Sequence, residues 1–335
     1  MLLAAGISLY LLAPQVLEVF SSWPKLREVR PLWFGVAIAF EATSYVSLWT
    51  LQRVALRTRS WFAVGTAQLA AGAAGSVLPG GGAAAAALQY RLLVRAGIRR
   101  RNVGPGLGSA LLATTMTAAA LPVVAVLAAI GGPATPKGLR QVAYIGGGAF
   151  VVVAAGAGAA LAWDWPLRSA GRAVRAVASL VGRGERFAEL PERLLRQRDV
   201  VRAAFAERPV VAVLAAVGKW GFDYLALLCV LASLETRPEP ALVLLAYSAA
   251  ALLAMIPLTP GGLGFVEAGL TGLLGLAGVA LGVATVATLA YRLVSFWLPL
   301  PVGGIAYLLA RRRYGAAESA AATSSETSDA TMVPR

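Results

Sequence analysis

The chain has 335 residues, of which 58% are hydrophobic, only 14% are charged and 36 are glycine. A water-soluble domain carries about 25% charged residues, so the composition excludes that class and points to an integral membrane protein. With no histidine and a single cysteine, Cys229, a Cys/His metal site, a histidine-based triad and an intrachain disulfide are excluded too. The net charge of +14 comes from arginines at the ends of apolar runs, which favours lipid phosphates over nucleic acid as the anionic partner.

Residues 2–20 are a marginal span. No basic n-region or small-residue cleavage site precedes Lys25, so this run reads as a retained helix. Residues 31–52 make a full span, since 22 residues at about 1.5 Å each cover the roughly 30 Å hydrocarbon core. Residues 105–131, 141–163, 209–233 and 285–310 pass the same test, giving six full spans. Between them lie two interrupted runs. In residues 61–90 the sequence Pro79-Gly80-Gly81-Gly82 breaks the helix, leaving arms of about 13 residues that are too short to cross. Arg53, Arg57 and Arg59 precede this run, and Arg91, Arg95, Arg99, Arg100 and Arg101 follow it. Both ends therefore face the cytoplasm and the segment is expected to be re-entrant. Residues 240–283 are interrupted by Pro257-Leu258-Thr259-Pro260-Gly261-Gly262. Their arms, about 19 residues each, leave open a re-entrant loop or a kinked helix pair.

With the N-terminus in the cytoplasm, the inner segments carry 22 Lys and Arg and the outer loops 6, so the positive-inside rule places both termini in the cytoplasm. Trp23, Trp33, Trp61, Trp163 and Trp165 fall near span ends, where indoles prefer to sit. The expected architecture is all-α: a polytopic helix bundle, residues 1–313, in two halves (about 1–163 and 209–313) joined by a cytoplasmic connector, 164–208. Within the connector Leu167, Val174, Val177 and Val181 recur on one face and Arg168, Arg172 and Arg175 on another. That is the pattern of a basic helix lying in the headgroup plane, or of a linker packed on the bundle. Residues 314–335, rich in Ala, Ser and Thr, are expected to be disordered.

Leu78-Pro79-Gly80-Gly81 echoes Thr259-Pro260-Gly261-Gly262, and the topology gives the two interruptions opposite orientations. Such an inverted pair marks a transport site near the midplane, although Pro-Gly-Gly also serves as a plain tight turn. A helix restarting after Pro-Gly-Gly offers free N–H groups to a phosphate oxygen. Ionised side chains inside the bilayer cost about 2.5 to 3.5 kcal/mol each, which singles out Glu41, Lys219, Asp223, Glu267, Arg292 and Arg91. Lys219 and Asp223 stand four apart on one helix face, suited to an ion pair. Glu267 and Arg292 suit either a cross-helix pair or a polar cavity admitting a headgroup. The carboxylates lie on different elements and no nucleophile motif accompanies them, so no active site, metal or cofactor is expected. Gly104-Pro105-Gly106-Leu107-Gly108 is the glycine-rich entry to a span, with no preceding strand.

Residues 257–303 carry a Pro-Gly-Gly-Leu-Gly turn (Pro260, Gly261, Gly262, Leu263, Gly264), then Glu267, then Tyr291-Arg292 and Phe296-Trp297-Leu298-Pro299. This combination resembles the C-terminal signature of the lysylphosphatidylglycerol synthase transmembrane-region family of flippase-like membrane proteins. Residues 212–233, with Asp223, and residues 26–98 resemble other parts of the family. The first hairpin departs from the family pattern: Ala83, Ala84 and Ala87 stand where Glu and Arg are common, with Arg91 one turn later.

The resemblance implies binding and translocation of a lipid between leaflets of the cytoplasmic membrane. The substrate would be an anionic or aminoacylated phospholipid or a polyprenyl-linked lipid, contacted by Glu267, Arg292, Asp223, Lys219, Glu41, Arg91 and the turns Pro79-Gly80-Gly81 and Pro260-Gly261-Gly262-Gly264. Alternatives are a non-catalytic platform for a separate synthase or glycosyltransferase and an intramembrane lipid enzyme. A second copy of the chain is a further candidate partner. No nucleotide-binding motif is found, so transport is expected to be downhill or coupled to an ion or the membrane potential.

Overall fold

The computed structural model describes residues 30–77, 81–130, 163–179, 189–254 and 260–330, together with residues 156, 159 and 185. The run 2–20, Pro79, Gly80, most of the run 141–163, and residues 257–259 lie outside the described residues. Every regular element among the described residues is helical. They are α1 (Pro31–Ala55), α2 (Trp61–Val77), α3 (Gly81–Arg95), α4 (Arg100–Ile130), α5 (Trp165–Ser179), α6 (Leu190–Phe205), α7 (Pro209–Ser233), α8 (Pro240–Ala254), a 3-10 turn (Pro260–Gly262), α9 (Phe265–Leu276), α10 (Leu281–Arg292), a π-helical turn (Leu293–Trp297) and α11 (Pro299–Ala330).

Four stretches are long and apolar enough to cross a membrane: Pro31–Ala55, Arg100–Ala128, Pro209–Ser233 and Leu281–Gly315. These match four of the six expected spans. Helix α7 shows why lipid suits the exterior. Ala212, Ala215 and Ala216 are buried, while Val210, Val213, Leu214 and Val217, on the opposite face, are all more than half exposed. An apolar stripe of that kind suits an apolar surrounding such as hydrocarbon.

Helices α1 and α7 form the central antiparallel pair. At one end Arg30 N–H donates to the Ser233 carbonyl (3.2 Å) and the Arg30 guanidinium pairs with Glu235. At the other end Arg57 approaches Glu207. Around this pair the contacts are reciprocal. Helix α2 of the first hairpin packs along α11, which follows the second hairpin in the chain, and α8 of the second hairpin packs along α4, which follows the first. Gly303 permits the first of these contacts, because a Cβ there would lie 2.4 Å from the Leu69 carbonyl oxygen. The larger core joins α7 to α10, with Leu227, Val230, Leu231, Val243, Leu270 and Leu274 fully or nearly buried.

Three expectations need correction. The arms of the first hairpin are 17 and 15 residues, not about 13, because helix runs on to Val77 in the first arm and from Gly81 to Arg95 in the second. The arms of the second are 15 and 12 residues, not about 19. Helix α9 ends at Leu276, where Gly278 takes a left-handed φ of +88°, and Leu281 opens the following helix. At roughly 1.5 Å per residue, α8 and α9 reach only about 22 and 18 Å. In the C-terminal tail, helix α11 continues to Ala330 where disorder was expected; its alanine content favours helix intrinsically.

Candidate functional site

The second Pro-Gly-Gly turn is built on left-handed backbone. Gly261, Gly262 and Gly264 have φ of +64°, +70° and +78°, conformations that cost an L-residue about 1 to 2 kcal/mol. At Gly261 a Cβ would also fall 2.6 Å from the Phe296 ring. The turn places Glu267 in the first turn of α9, where a carboxylate complements the helix dipole. Helix α9 thus meets a carboxylate of its own at the end expected to receive phosphate.

Arg292, at the end of α10, clamps the turn. Its Nε donates to Glu267 Oε1 at 2.6 Å and its Nη2 to the Gly261 carbonyl at 3.1 Å, while its guanidinium lies 4.3 Å over the Phe296 ring. The π-helical turn that follows Arg292 is the kind of local irregularity that collects at functional sites. The cross-helix pair weighed from the sequence is present, and both of its members line a cavity. A cavity of about 370 Å³ opens between α9 and α10, and its lining mixes the polar side chains of Glu267, Arg292, Thr271, Thr285 and Thr288 with the apolar ones of Leu263, Leu281 and Leu289. Glu267 Oε2 and the Thr288 hydroxyl are shielded from water and have no hydrogen-bond partner, a costly state for buried polar atoms unless a ligand or water completes it.

One residue before Arg292, Tyr291 points into a second polar cluster. Asp223 on α7 is its hub. Oδ1 accepts from Tyr291 O–H at 2.6 Å, and Oδ2 accepts from Tyr247 O–H at 3.0 Å and Lys219 Nζ at 3.1 Å. Lys219 Nζ also donates to Ser44 Oγ at 2.9 Å, and the Ser44 hydroxyl donates back to the Lys219 carbonyl at 2.8 Å. Glu41 on α1 is buried beside Asp223 and Lys219, and its Oε2 has no hydrogen-bond partner. Directly beneath, Phe40 stacks on Phe222 with ring centroids 6.1 Å apart. Consecutive residues Tyr291 and Arg292 therefore join the α1–α7 cluster to the cavity at the second turn.

The structure brings together Glu41, Lys219, Asp223, Arg292, Glu267, Gly261, Gly262 and Gly264. Arg91 is exposed on α3 and joins neither cluster. Pro260 opens the 3-10 turn. Gly81 packs against Gly75 within the first hairpin, where a Cβ would overlap the Gly75 carbonyl. The hairpins do meet: α2 touches the second turn, and the Ser76 carbonyl oxygen lies 3.4 Å from a Cβ built on Gly261.

Sequence reasoning missed Tyr247, Tyr291 and Ser44 as partners of the buried charges, and it missed a buried amide triad. Gln52 on α1 and Gln89 on α3 both donate to Gln68 Oε1 on α2, at 2.7 and 2.8 Å, and Gln89 also donates to Gln52 Oε1 at 3.1 Å. Three glutamines within apolar runs were the available signal, since an amide in hydrocarbon needs a partner.

Residues 1–303 match the sequence family described as Lysylphosphatidylglycerol synthase TM region. A UPF0104 membrane protein of Pyrococcus horikoshii is similar to part of the chain, with 38% identity over 93 residues, covering 28% of this chain and 28% of that protein's length.

Proposed function

The chain belongs to the lysylphosphatidylglycerol synthase transmembrane-region family, and from that premise we propose that it binds a phospholipid or modified lipid and moves its headgroup between leaflets of the cytoplasmic membrane. One observation carries the reading. Glu267 and Arg292 pair in the lining of a cavity that mixes polar and apolar side chains, with the Glu267 Oε2 and Thr288 acceptors unfilled. An amphipathic ligand matches that lining, with the head at Glu267, Arg292 and Thr288 and the chains along the leucines. From the cavity, Tyr291 leads to Asp223, Lys219 and Glu41, a series of polar contacts that spares the headgroup from bare hydrocarbon.

An inverted repeat is supported on three counts. The contacts of α2 with α11 and α8 with α4 are reciprocal. Three of the four described hairpin arms, of 15, 15 and 12 residues, are too short to span. In addition, Phe40-Glu41 stands 38 residues before Pro79 and Phe222-Asp223 stands 37 before Pro260, so the two carboxylates meet where a pseudo-twofold axis would pass. The charge distribution favours hairpins entering from opposite faces and both termini in the cytoplasm. We read the chain as a carrier and not an enzyme.

The test is leaflet exchange of a labelled phospholipid in proteoliposomes. Glu267→Ala and Arg292→Ala are each expected to lower the exchange rate at least tenfold, the effect of losing about 1.4 kcal/mol of headgroup interaction, while the protein still inserts. Exchange at the wild-type rate in both variants removes the pair from the path. A stoichiometric synthase copurifying with a chain that exchanges no lipid favours the platform reading.

A further inference from the structure

A second cavity, of about 180 Å³, lies where α1 ends and α7 begins, away from the Glu267 cavity, and it is lined by Arg53, Arg57, Arg59, Arg208 and Glu207. Four guanidiniums face a single carboxylate. Glu207 approaches only Arg57, at 3.9 Å, and Arg59 and Arg208 make no ion pair among the described residues. Arg208 lies close enough to Arg53 for their charges to repel. Arg53 itself is half-buried, held 3.8 Å over the Trp61 ring and donating through Nη2 to the Arg59 carbonyl at 3.1 Å. Its Nε is shielded from water with no acceptor.

The backbone adds to this positive field. Helix α7 starts on Pro209 with no side-chain cap at Arg208, so the N–H groups of Val210 and Val211 lack helical acceptors, and the positive end of a 25-residue helix faces the same space. Arg57 holds a left-handed backbone conformation, φ +52°, which glycine would adopt without strain. From there its Nη2 donates to the Ala203 carbonyl at 2.6 Å, anchoring the cavity wall to α6. Converging like charges, an unfilled buried donor and a helix N-terminus are jointly satisfied by one kind of ligand, an anion with several acceptor oxygens.

We propose that this cavity binds a phosphate group, either the phosphodiester of an anionic lipid or a free phosphate, held by Arg53, Arg59 and Arg208 and bridging the end of α1 to the start of α7. The site lies 12 residues along α1 from Glu41, about 18 Å at 1.5 Å per residue, and does not depend on the translocation reading.

The experiment uses the full chain in phosphatidylcholine nanodiscs, with phosphatidylglycerol added in one arm and inorganic phosphate in the other. Lipid retained on the protein is counted by native mass spectrometry, and phosphate binding is read from the thermal unfolding midpoint. Arg59→Gln/Arg208→Gln removes two exposed side chains and should leave the fold intact; Arg172→Gln/Arg175→Gln removes the same charge elsewhere. We expect the wild type and the Arg172/Arg175 control to retain phosphatidylglycerol and the Arg59/Arg208 variant to lose affinity about tenfold or more, as for a lost charge-assisted hydrogen bond. A rise of the midpoint with inorganic phosphate that this variant abolishes supports the same site with a free anion as its source. Neither ligand bound by the wild type, or equal binding by both double variants, overturns the proposal.

Discussion

The two halves solve one problem, a polar patch among apolar helices, with different chemistry. Beside the second hairpin the solution is ionic: Glu267, Arg292 and the Gly261 carbonyl form a clamp at an open cavity. At the first hairpin, where α3 opens on two glycines and a run of alanines, the polar patch is the neutral triad Gln52, Gln68 and Gln89, closed on itself by amide hydrogen bonds. A closed amide triad fixes helix positions, whereas an ion pair with an unfilled acceptor invites a ligand. On the proposed reading the halves divide their labour, the first serving as scaffold and the second as site, with the Asp223 hub between them.

Breaking the hub should have the largest effect. Asp223→Ala removes the acceptor of Lys219, Tyr247 and Tyr291 together and leaves a half-buried ammonium without its carboxylate. The expected loss is about 3 to 5 kcal/mol of stability, read as a lowered thermal midpoint in detergent. The double variant Lys219→Met/Asp223→Leu is expected to recover much of that loss, because the ammonium that Asp223→Ala strands is removed together with its carboxylate. Next comes the ionic site. Glu267→Gln keeps a hydrogen-bond acceptor for Arg292, so it should cost less stability than Glu267→Ala yet slow lipid exchange comparably, separating the function of the charge from its structural role.

Much of this arrangement was legible in the sequence. Hydrophobic run lengths located the four described spans, proline and glycine located both hairpins, and the cost of burying charge selected Glu41, Lys219, Asp223, Glu267 and Arg292. Those signals are local, and they fail where the determinant is a contact between distant elements. The hydroxyls of Tyr247 and Tyr291 look like ordinary aromatic positions until α8 and α10 carry them to Asp223. Arg91 satisfied the same charge criterion, but it faces outward from α3. The shared Phe-acid dipeptide, Phe40-Glu41 and Phe222-Asp223, was readable and would have extended the Pro-Gly-Gly echo across each half. Two residues carry little weight in an alanine- and leucine-rich chain until their rings are seen stacked.

If the first hairpin is scaffold, its amide triad should matter for stability and little for exchange. Gln89→Leu removes the donor shared by Gln52 and Gln68 but leaves the Gln52–Gln68 bond in place. We expect a loss of about 1 to 3 kcal/mol, the cost of leaving buried amide atoms partly unsatisfied, with the exchange rate per folded molecule changed less than twofold, under about 0.4 kcal/mol. A large fall in exchange at unchanged stability would instead place the headgroup path through both hairpins.

The smallest effect is expected at the connector, which supplies the surface reference for the buried pairs. Asp164 accepts a hydrogen bond from Arg198 on α6 and sits within 3.5 Å of Arg168 on α5, and the Arg198 hydrogen bond holds its carboxyl below the ordinary carboxylate range. A carboxyl more acidic folded than unfolded binds more protons in the unfolded state, so its contribution is complete above an unfolded value of about 3.9 and fades as pH falls through the lower folded value. Hydrogen exchange of α5 and α6 should therefore be unchanged by this group between neutral pH and about pH 5 and should speed up only in stronger acid. Asp164→Asn should remove that acid-dependent increase while leaving the α1–α7 core protected, since a pair whose carboxylate is open to water is screened by solvent and the buried hub is not.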